Sequence, residues 1–380
     1  MRRHACLLAL ASALLLPAAA VRAAPIDILF VGNSFTHGKY DPVRTYMSGF
    51  GTGTGNVHDV NCLTAATCSA AETTAPAQGV FESGPFGGIP GIFLALTQQA
   101  GLNYNVSINA VSAATLNGAT STTRLPKILA NPLTGLPYDK VVLQEQSFTP
   151  LPNPNSLGNA TRGNYGNFVS GANTLVSKIR QADTAAGKAP AGIYLYETQP
   201  VASYVYTSPL IQGSSTGGVN QPYVGGSIET LASDLHNAYA GVAAQNAGIT
   251  GVAYAGDAWV RAIQDGVAQR NPYLATEPAG QVNLWDGPAD LVAACCTTPI
   301  GYHPSKYGAY LSALVLFDTI TGADAQAFGG AERAAAALGF DPGIAMSLQA
   351  EAAATVPEPA AAMLLLPGLL GLAALRRRGA

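Results

Sequence analysis

The sequence predicts an α/β fold, a three-layer sandwich whose central sheet is mostly parallel and holds about five strands. Two observations carry this. Short apolar runs closed by small or turn-forming residues recur along the chain, and amphipathic helical patterns separate them. Strand, helix, strand in steady alternation makes successive strands parallel and lays helices on both faces of the sheet.

Ile26 to Gly32 (IDILFVG) is a short apolar run ending in glycine, as expected of a strand buried on both faces. The spacing then predicts a helix over Ile92 to Ala100 and strands over Tyr104 to Ala110 and Lys140 to Gln146. A helix over Asn167 to Ala186 leads to a strand at Gly192 to Glu197. A helix over Ile228 to Asn246 leads to a strand at Gly248 to Tyr254, and a further helix covers Asp257 to Gln269. The last apolar helix opens just after His303 and runs to about Thr321. Gly51 to Gly91 and Thr149 to Gly166, rich in Gly, Pro, Ser, Thr and Asn, read as loops. In such sheets ligands bind beyond the carboxyl ends of the strands, so the residues following each strand are where chemistry is expected.

The two ends read as addresses. Arg2, Arg3 and His4, an apolar run from Cys6 to Ala20 and the small-residue exit Val21-Arg22-Ala23 have the layout of a secretory signal peptide over residues 1–23. At the other end, Val356-Pro357-Glu358-Pro359 is followed by an apolar run from Ala360 to Leu375 and by Arg376, Arg377 and Arg378, a cation cluster that stays cytoplasmic under the positive-inside rule. Residues 356–380 resemble the PEP-CTERM sorting signal of Gram-negative bacteria. The resemblance implies transient membrane tethering through the C-terminal helix, removal of the tail by an exosortase, and release to the cell surface or extracellular matrix. An ordinary C-terminal anchor is the competing reading, disfavoured by the short run and by Pro367 and Gly368 within it. The working unit is then one domain over residues 24–355.

Charged residues make up 11% of the chain and the net charge is −3, which gives no footprint for nucleic acid. Cys62, Cys68, Cys295 and Cys296 form an even set in an oxidising compartment and read as disulfides, with the pairing open. A metal site using His58 with Cys62, or His303 with Cys296, is the alternative, but the C-x-x-C spacing is missing. No metal and no cofactor is expected.

Directly after the first strand stands Gly32-Asn33-Ser34-Phe35-Thr36. A serine at a tight glycine-led turn exposes its hydroxyl at the edge of the sheet and can aim its own N–H at a developing oxyanion. It needs a base. His4 belongs to the leader, His236 lies within an amphipathic helix, and His37 and His58 follow the serine, His37 being a candidate substrate contact. His303, in Gly301-Tyr302-His303-Pro304-Ser305, stands on a turn into the last helix and is the candidate base, with Pro304 suited to that helix's first turn.

These two blocks resemble the SGNH/GDSL serine hydrolases, whose first block reads Gly-[Asn/Asp]-Ser and whose last places a histidine before a helix. The resemblance implies an ester hydrolase working through a Ser-His(-Asp) acyl-enzyme, without a cofactor. It also shows where this chain departs. The family's Asp-x-x-His is absent, since Ile300 stands three before His303, so the third member is Asp286, Asp290 or missing. The Gly and Asn oxyanion blocks are absent too. The Ser34 N–H is then joined by a backbone N–H near Ala114 and by the amide of Gln146, or of Gln144 on the same strand face. The expected substrate is a small acyl ester or an acylated glycan, with Tyr204, Tyr206 and Tyr223 able either to stack on sugar rings or to cover the core. The alternative is a surface or matrix binding protein that keeps this scaffold without catalysis.

Overall fold

The computed structural model of the chain describes residues 24–50, 55–72, 84–152, 163–206, 223, 226–273, 278–287 and 301–356. The signal segment 1–23, the sorting segment from Pro357 onward, Asp290, Cys295 and Cys296 lie outside the described residues. Among the described residues no helix is long and apolar enough to cross a membrane.

The fold is α/β, with one parallel sheet covered on both faces. Its strands are β1 (Ile26–Gly32), β2 (Ser48–Gly49), β3 (Val57–Asp59), β4 (Tyr104–Ala110), β5 (Lys140–Leu143), β6 (Gly192–Tyr196) and β7 (Gly251–Ala253). They lie in the order β2-β3-β4-β1-β5-β6-β7, and every adjacent pair is parallel. The sheet is thus wider than the expected five strands. The additions are β2 and β3, which lie in or beside the stretch expected to be loop; the helices Ala65–Glu72 and Gly88–Gln99 also begin within it. Strands of two and three residues are too short to show a periodic pattern.

β1 is the hinge of the topology. The chain leaves it for the β2 edge, walks inward through β3 to β4, and after β5 walks outward to β7 on the other side. The strand order therefore reverses at β1, and the crevice at its carboxyl end is where such sheets bind ligands.

Alternate side chains of β1 feed two cores. Ile28 and Phe30, with Val106, Ile108, Val142 and Tyr196, pack under the helices Gly88–Gln99, Ala255–Gln264 and Lys306–Thr321. Leu29 and Val31, with Val141, Leu143, Ile193 and Leu195, meet the helix Tyr165–Ala185 and the Ala238-Tyr239 edge of Ile228–Gln245. Phe30, Phe93 and Phe317 meet edge to face on the first side. Burying side chains of this size gives about 1.5–3 kcal/mol each, which fixes β1 at the middle of the molecule.

β5 and β6 end earlier than the apolar pattern suggests, at Leu143 and Tyr196. The residues that follow, Gln144, Glu145, Glu197, Thr198 and Gln199, are polar yet buried. Gln144 and Glu197 each still donate a backbone N–H to the neighbouring strand, to the Val31 and Ala253 carbonyls at 2.9 and 3.0 Å, and the chain then leaves the sheet at its carboxyl edge.

Candidate active site

β1 stops at Gly32 and the chain turns at once into a single helical turn, Ser34–His37. Asn33 caps it, its side-chain oxygen accepting the Phe35 N–H at 3.0 Å, as short polar residues do at helix starts. The Asn33 amide nitrogen donates to the Ala114 carbonyl at 3.0 Å, and its backbone N–H donates to Gln144 Oε1 at 3.1 Å. The same Gln144 oxygen accepts the Thr36 hydroxyl at 2.7 Å. A side chain at position 32 has no room, because a Cβ there would lie 2.2 Å from Thr36 Oγ1 and 2.5 Å from Gln144 Oε1. The turn is thus clamped between the segments that follow β4 and β5.

This turn presents Ser34, whose Oγ lies 3.1 Å from His303 Nε2. Both residues are buried, Ser34 being 8% exposed and His303 3%. Phe35, Tyr302 and Tyr40 flank the imidazole, with ring centroids 5.6, 4.9 and 6.3 Å away. His303 precedes the helix Lys306–Thr321 by a rigid step. Ser305 is the N-cap, accepting from the Tyr307 and Gly308 N–H groups and donating its hydroxyl to the Asn283 carbonyl at 2.6 Å. Pro304 therefore lies ahead of the cap and not in the first turn, and forms an antiparallel bridge with Trp285.

That bridge brings Asp286 to the histidine. The Asp286 N–H donates to the His303 carbonyl at 2.8 Å, and the Gly301 N–H donates to the Asp286 carbonyl at 3.0 Å. Asp286 is fully buried, and its Oδ1 accepts the backbone N–H groups of Tyr302 at 2.7 Å and His303 at 3.0 Å. Its Oδ2 faces His303 Nδ1 at 3.6 Å. That is longer than a hydrogen bond, yet both atoms are buried and have no other hydrogen-bond partner among the described residues. A closure of a few tenths of an ångström satisfies both at once, and apo sites commonly tighten in this way. A carboxylate at Nδ1 keeps the proton on that nitrogen and turns the lone pair of Nε2 toward the serine. Trp285, beside the aspartate, is anchored by its indole N–H on the Pro200 carbonyl at 2.8 Å.

The expected oxyanion donors fare differently. The Ala114 N–H is engaged with the Val111 carbonyl at 3.0 Å, and its own carbonyl faces Asn33. Its neighbour Ala113 stands out, with φ of 62°, a left-handed conformation that costs a residue with a Cβ roughly 1 kcal/mol or more. Gln146 folds onto its own loop, its amide nitrogen donating to Ser147 Oγ at 3.0 Å and its oxygen accepting the Phe148 N–H at 3.0 Å. Gln144 donates its amide nitrogen to the Glu145 carbonyl and spends its oxygen on the Ser34 turn. Each amide nitrogen thus spends one of its two N–H groups on its own segment.

His37 is not at a binding surface. It is fully buried and stacked on Phe86 at 4.1 Å, with Nδ1 donating to the Gly38 carbonyl at 2.7 Å. Nε2 shares a hydrogen bond with the Ser112 hydroxyl at 3.0 Å, which ties the Ser34 turn to the segment after β4. Tyr204 belongs to the core, stacked on Phe148 at 4.5 Å. Tyr223 donates to Asp234 at 2.6 Å. Cys62 and Cys68 are joined as a disulfide, which removes the thiolate that a metal site with His58 would need.

Glu145 was not foreseen. Fully buried at the end of β5, its carboxylate accepts the Leu116 N–H at 3.1 Å and the Gln146 N–H at 2.6 Å. It so holds the Ala113 turn against β5, and burial pushes its carboxyl up to about 7. A glutamate inside the run Val141 to Gln146 was the available signal.

No protein-family model and no curated protein matches this sequence. Among solved structures, the chain is similar to a DUF4886 family protein from Bacteroides uniformis, at 14% identity and a TM-score of 0.46, covering 87% of this chain and 93% of that one. It is also similar to a carbohydrate acetylesterase from Sinorhizobium meliloti, at 15% identity and a TM-score of 0.38, covering 78% and 99% of the two chains. A catalytic mutant of an acetylxylan esterase from Geobacillus stearothermophilus aligns at 12% identity and a TM-score of 0.35, over 83% and 95%.

Proposed function

We propose that this chain is a serine ester hydrolase in which Ser34 is the nucleophile, His303 the general base and Asp286 the acid that orients it. The observation that carries the reading is the line of contacts at the carboxyl end of β1: Ser34 Oγ to His303 Nε2 at 3.1 Å, then His303 Nδ1 to a buried Asp286 carboxylate. A serine hydroxyl gains nucleophilicity only when a base takes its proton, and an imidazole acts as that base only in the tautomer such a carboxylate enforces.

In the proposed reaction the Ser34 proton passes to His303 Nε2 as Oγ attacks the ester carbonyl. The oxyanion meets the Ser34 N–H and the backbone N–H of Ala113, whose strained conformation is the local irregularity expected of such a donor. Collapse expels the alcohol, which takes the proton from Nε2, and water repeats the sequence to free the acid. The substrate proposed is a short acyl ester, with O-acetyl groups on a cell-surface or matrix polysaccharide favoured by the signal-like start and the sorting-like end. Exosortase processing and release to the surface belong to the same proposal.

The test is fluorophosphonate labelling with p-nitrophenyl acetate turnover, for the wild type and for Ser34→Ala and His303→Ala. Labelling abolished in both variants, with turnover down by about 10³-fold or more, supports the reading. A folded wild type that neither labels nor turns over overturns it in favour of a binding protein. Labelling without acetate release from an O-acetylated polysaccharide overturns the glycan alone.

A further inference from the structure

The segment after β6 carries a second group of ionisable side chains that the proposed hydrolysis does not use. Glu197 follows β6, Asp257 lies in the first turn of Ala255–Gln264, and His236 projects from Ile228–Gln245. Their potential ligand atoms, one per residue, all lie within 4.8 Å of one another. β6 is two strands from β1 in the sheet order, so this group is separate from Ser34.

Glu197 is the telling member. It is fully buried, and neither carboxylate oxygen has a hydrogen-bond partner among the described residues. Two buried, unpaired acceptor oxygens are costly unless something supplies positive charge or a proton. Burial and then the neighbouring Asp257 charge push this carboxyl well above the usual range; the Asp257 backbone N–H points toward it and offsets part of the effect without reaching hydrogen-bonding geometry. Gly256 makes the approach possible, since a Cβ there would meet the Thr198 carbonyl at 2.6 Å and Glu197 Oε1 at 3.0 Å. His236 and Asp257 are half-buried, joined from Nδ1 to Oδ2 at 2.8 Å, and Tyr254 stacks on the imidazole at 4.6 Å and fixes its plane. Both face a recess of about 330 Å³ that opens to solvent. Arg261, on the same recess, is already paired with Glu351 at 3.1 Å and Asp265 at 3.5 Å.

We infer that Glu197, His236 and Asp257 bind a divalent cation of the zinc class. One imidazole nitrogen and two carboxylate oxygens suit Zn²⁺, whereas Ca²⁺ and Mg²⁺ prefer more numerous oxygen ligands. The cation displaces the proton shared by His236 and Asp257, neutralises the buried Glu197, and keeps a coordination position open toward the recess for water. It also links β6 to the two helices that follow it. The inference does not rest on the ester-hydrolase reading.

The chain, stripped with EDTA and dialysed, is titrated with ZnCl₂ by equilibrium dialysis with metal analysis, and by thermal melting, beside Glu197→Gln and His236→Ala. Because His236 is 40% exposed, its removal leaves the fold a fair chance if the Glu197 variant fails to fold. The expected result is one Zn²⁺ per wild-type chain with a raised Tm, and affinity at least about tenfold weaker in each folded variant. Wild type that binds no Zn²⁺, or variants that bind it as tightly as wild type, overturns the site. Neither outcome depends on whether Ser34 reacts with fluorophosphonate.

Discussion

Asp286→Asn separates a working triad from a serine-histidine pair. The Asn side-chain oxygen can keep the two backbone N–H groups of Tyr302 and His303 that Asp286 Oδ1 accepts at 2.7 and 3.0 Å, so the loop should hold. What changes is the group facing His303 Nδ1, now an amide N–H₂. It favours an imidazole with its proton on Nε2, the tautomer that cannot accept the Ser34 proton, and it removes the negative charge opposite the imidazolium formed in the transition state. At the observed 3.6 Å, the charge interaction at an effective dielectric of 20 is about 4.6 kcal/mol. At 1.36 kcal/mol per decade that corresponds to a loss of roughly 10³-fold in kcat/KM. The assay is p-nitrophenyl acetate hydrolysis together with the rate of fluorophosphonate labelling, with a urea melt showing that stability has moved by no more than about 1–2 kcal/mol. A loss smaller than about tenfold in a folded variant refutes the argument and leaves the dyad. So does a loss produced by Asp290→Asn in its place.

Two further outcomes follow from the segments that clamp the nucleophile turn. The Glu145 carboxyl is raised from 4.5 to about 7 by burial, so the native state holds a proton that the unfolded chain has released; its contribution to stability is fully present below pH 4.5 and is lost as pH rises to about 7. Glu145→Gln should therefore gain on wild type by up to about 3 kcal/mol between pH 4.5 and pH 8, read from urea midpoints, and a difference that stays flat with pH sinks the assignment. Gly32→Ala puts a Cβ against Thr36 Oγ1 and Gln144 Oε1 and should destabilise the chain by about 1–3 kcal/mol, with slower labelling of Ser34. Unchanged stability and labelling would mean that the clamp is not needed.

The main strands were legible because a parallel sheet demands it. β1 and β4 are buried along most of their length, so Ile26 to Gly32 appears in the sequence as a mainly apolar run and Tyr104 to Ala110 as apolar residues at every second position, both with the observed ends. β5 and β6 were overrun because burial continues past the last ladder residue: Gln144, Glu145 and Glu197 are as inaccessible as the strand residues before them. Sequence patterning reports burial, not hydrogen bonding. β2, at the sheet edge, and β3 beside it were hidden because strands of two and three residues are too short to alternate. The side-chain donors expected at the site were harder to read, because residue type tells nothing of where an amide is spent. A glutamine at the right strand end looked like a donor, but Gln144 closes the nucleophile turn and Gln146 closes its own loop.

The acid proposed for the site was ambiguous for a different reason: no short sequence spacing ties Asp286 to His303. Three residues before His303 stands Ile300, which offers no carboxylate, while Asp286 is far upstream. The antiparallel bridge of Trp285 with Pro304, and the backbone bonds joining Asp286 to His303 and Gly301, hold the aspartate against the histidine across sixteen intervening residues. Asp286 Oδ1 adds two bonds to the Tyr302 and His303 N–H groups, so the carboxylate that faces the imidazole also ties down the backbone carrying it. With the bridge formed, the approach of Asp286 to His303 is held by backbone hydrogen bonds and not by closeness in sequence. The facing of the proposed acid and base is then a property of the bridge, which sets Asp286 Oδ2 3.6 Å from His303 Nδ1.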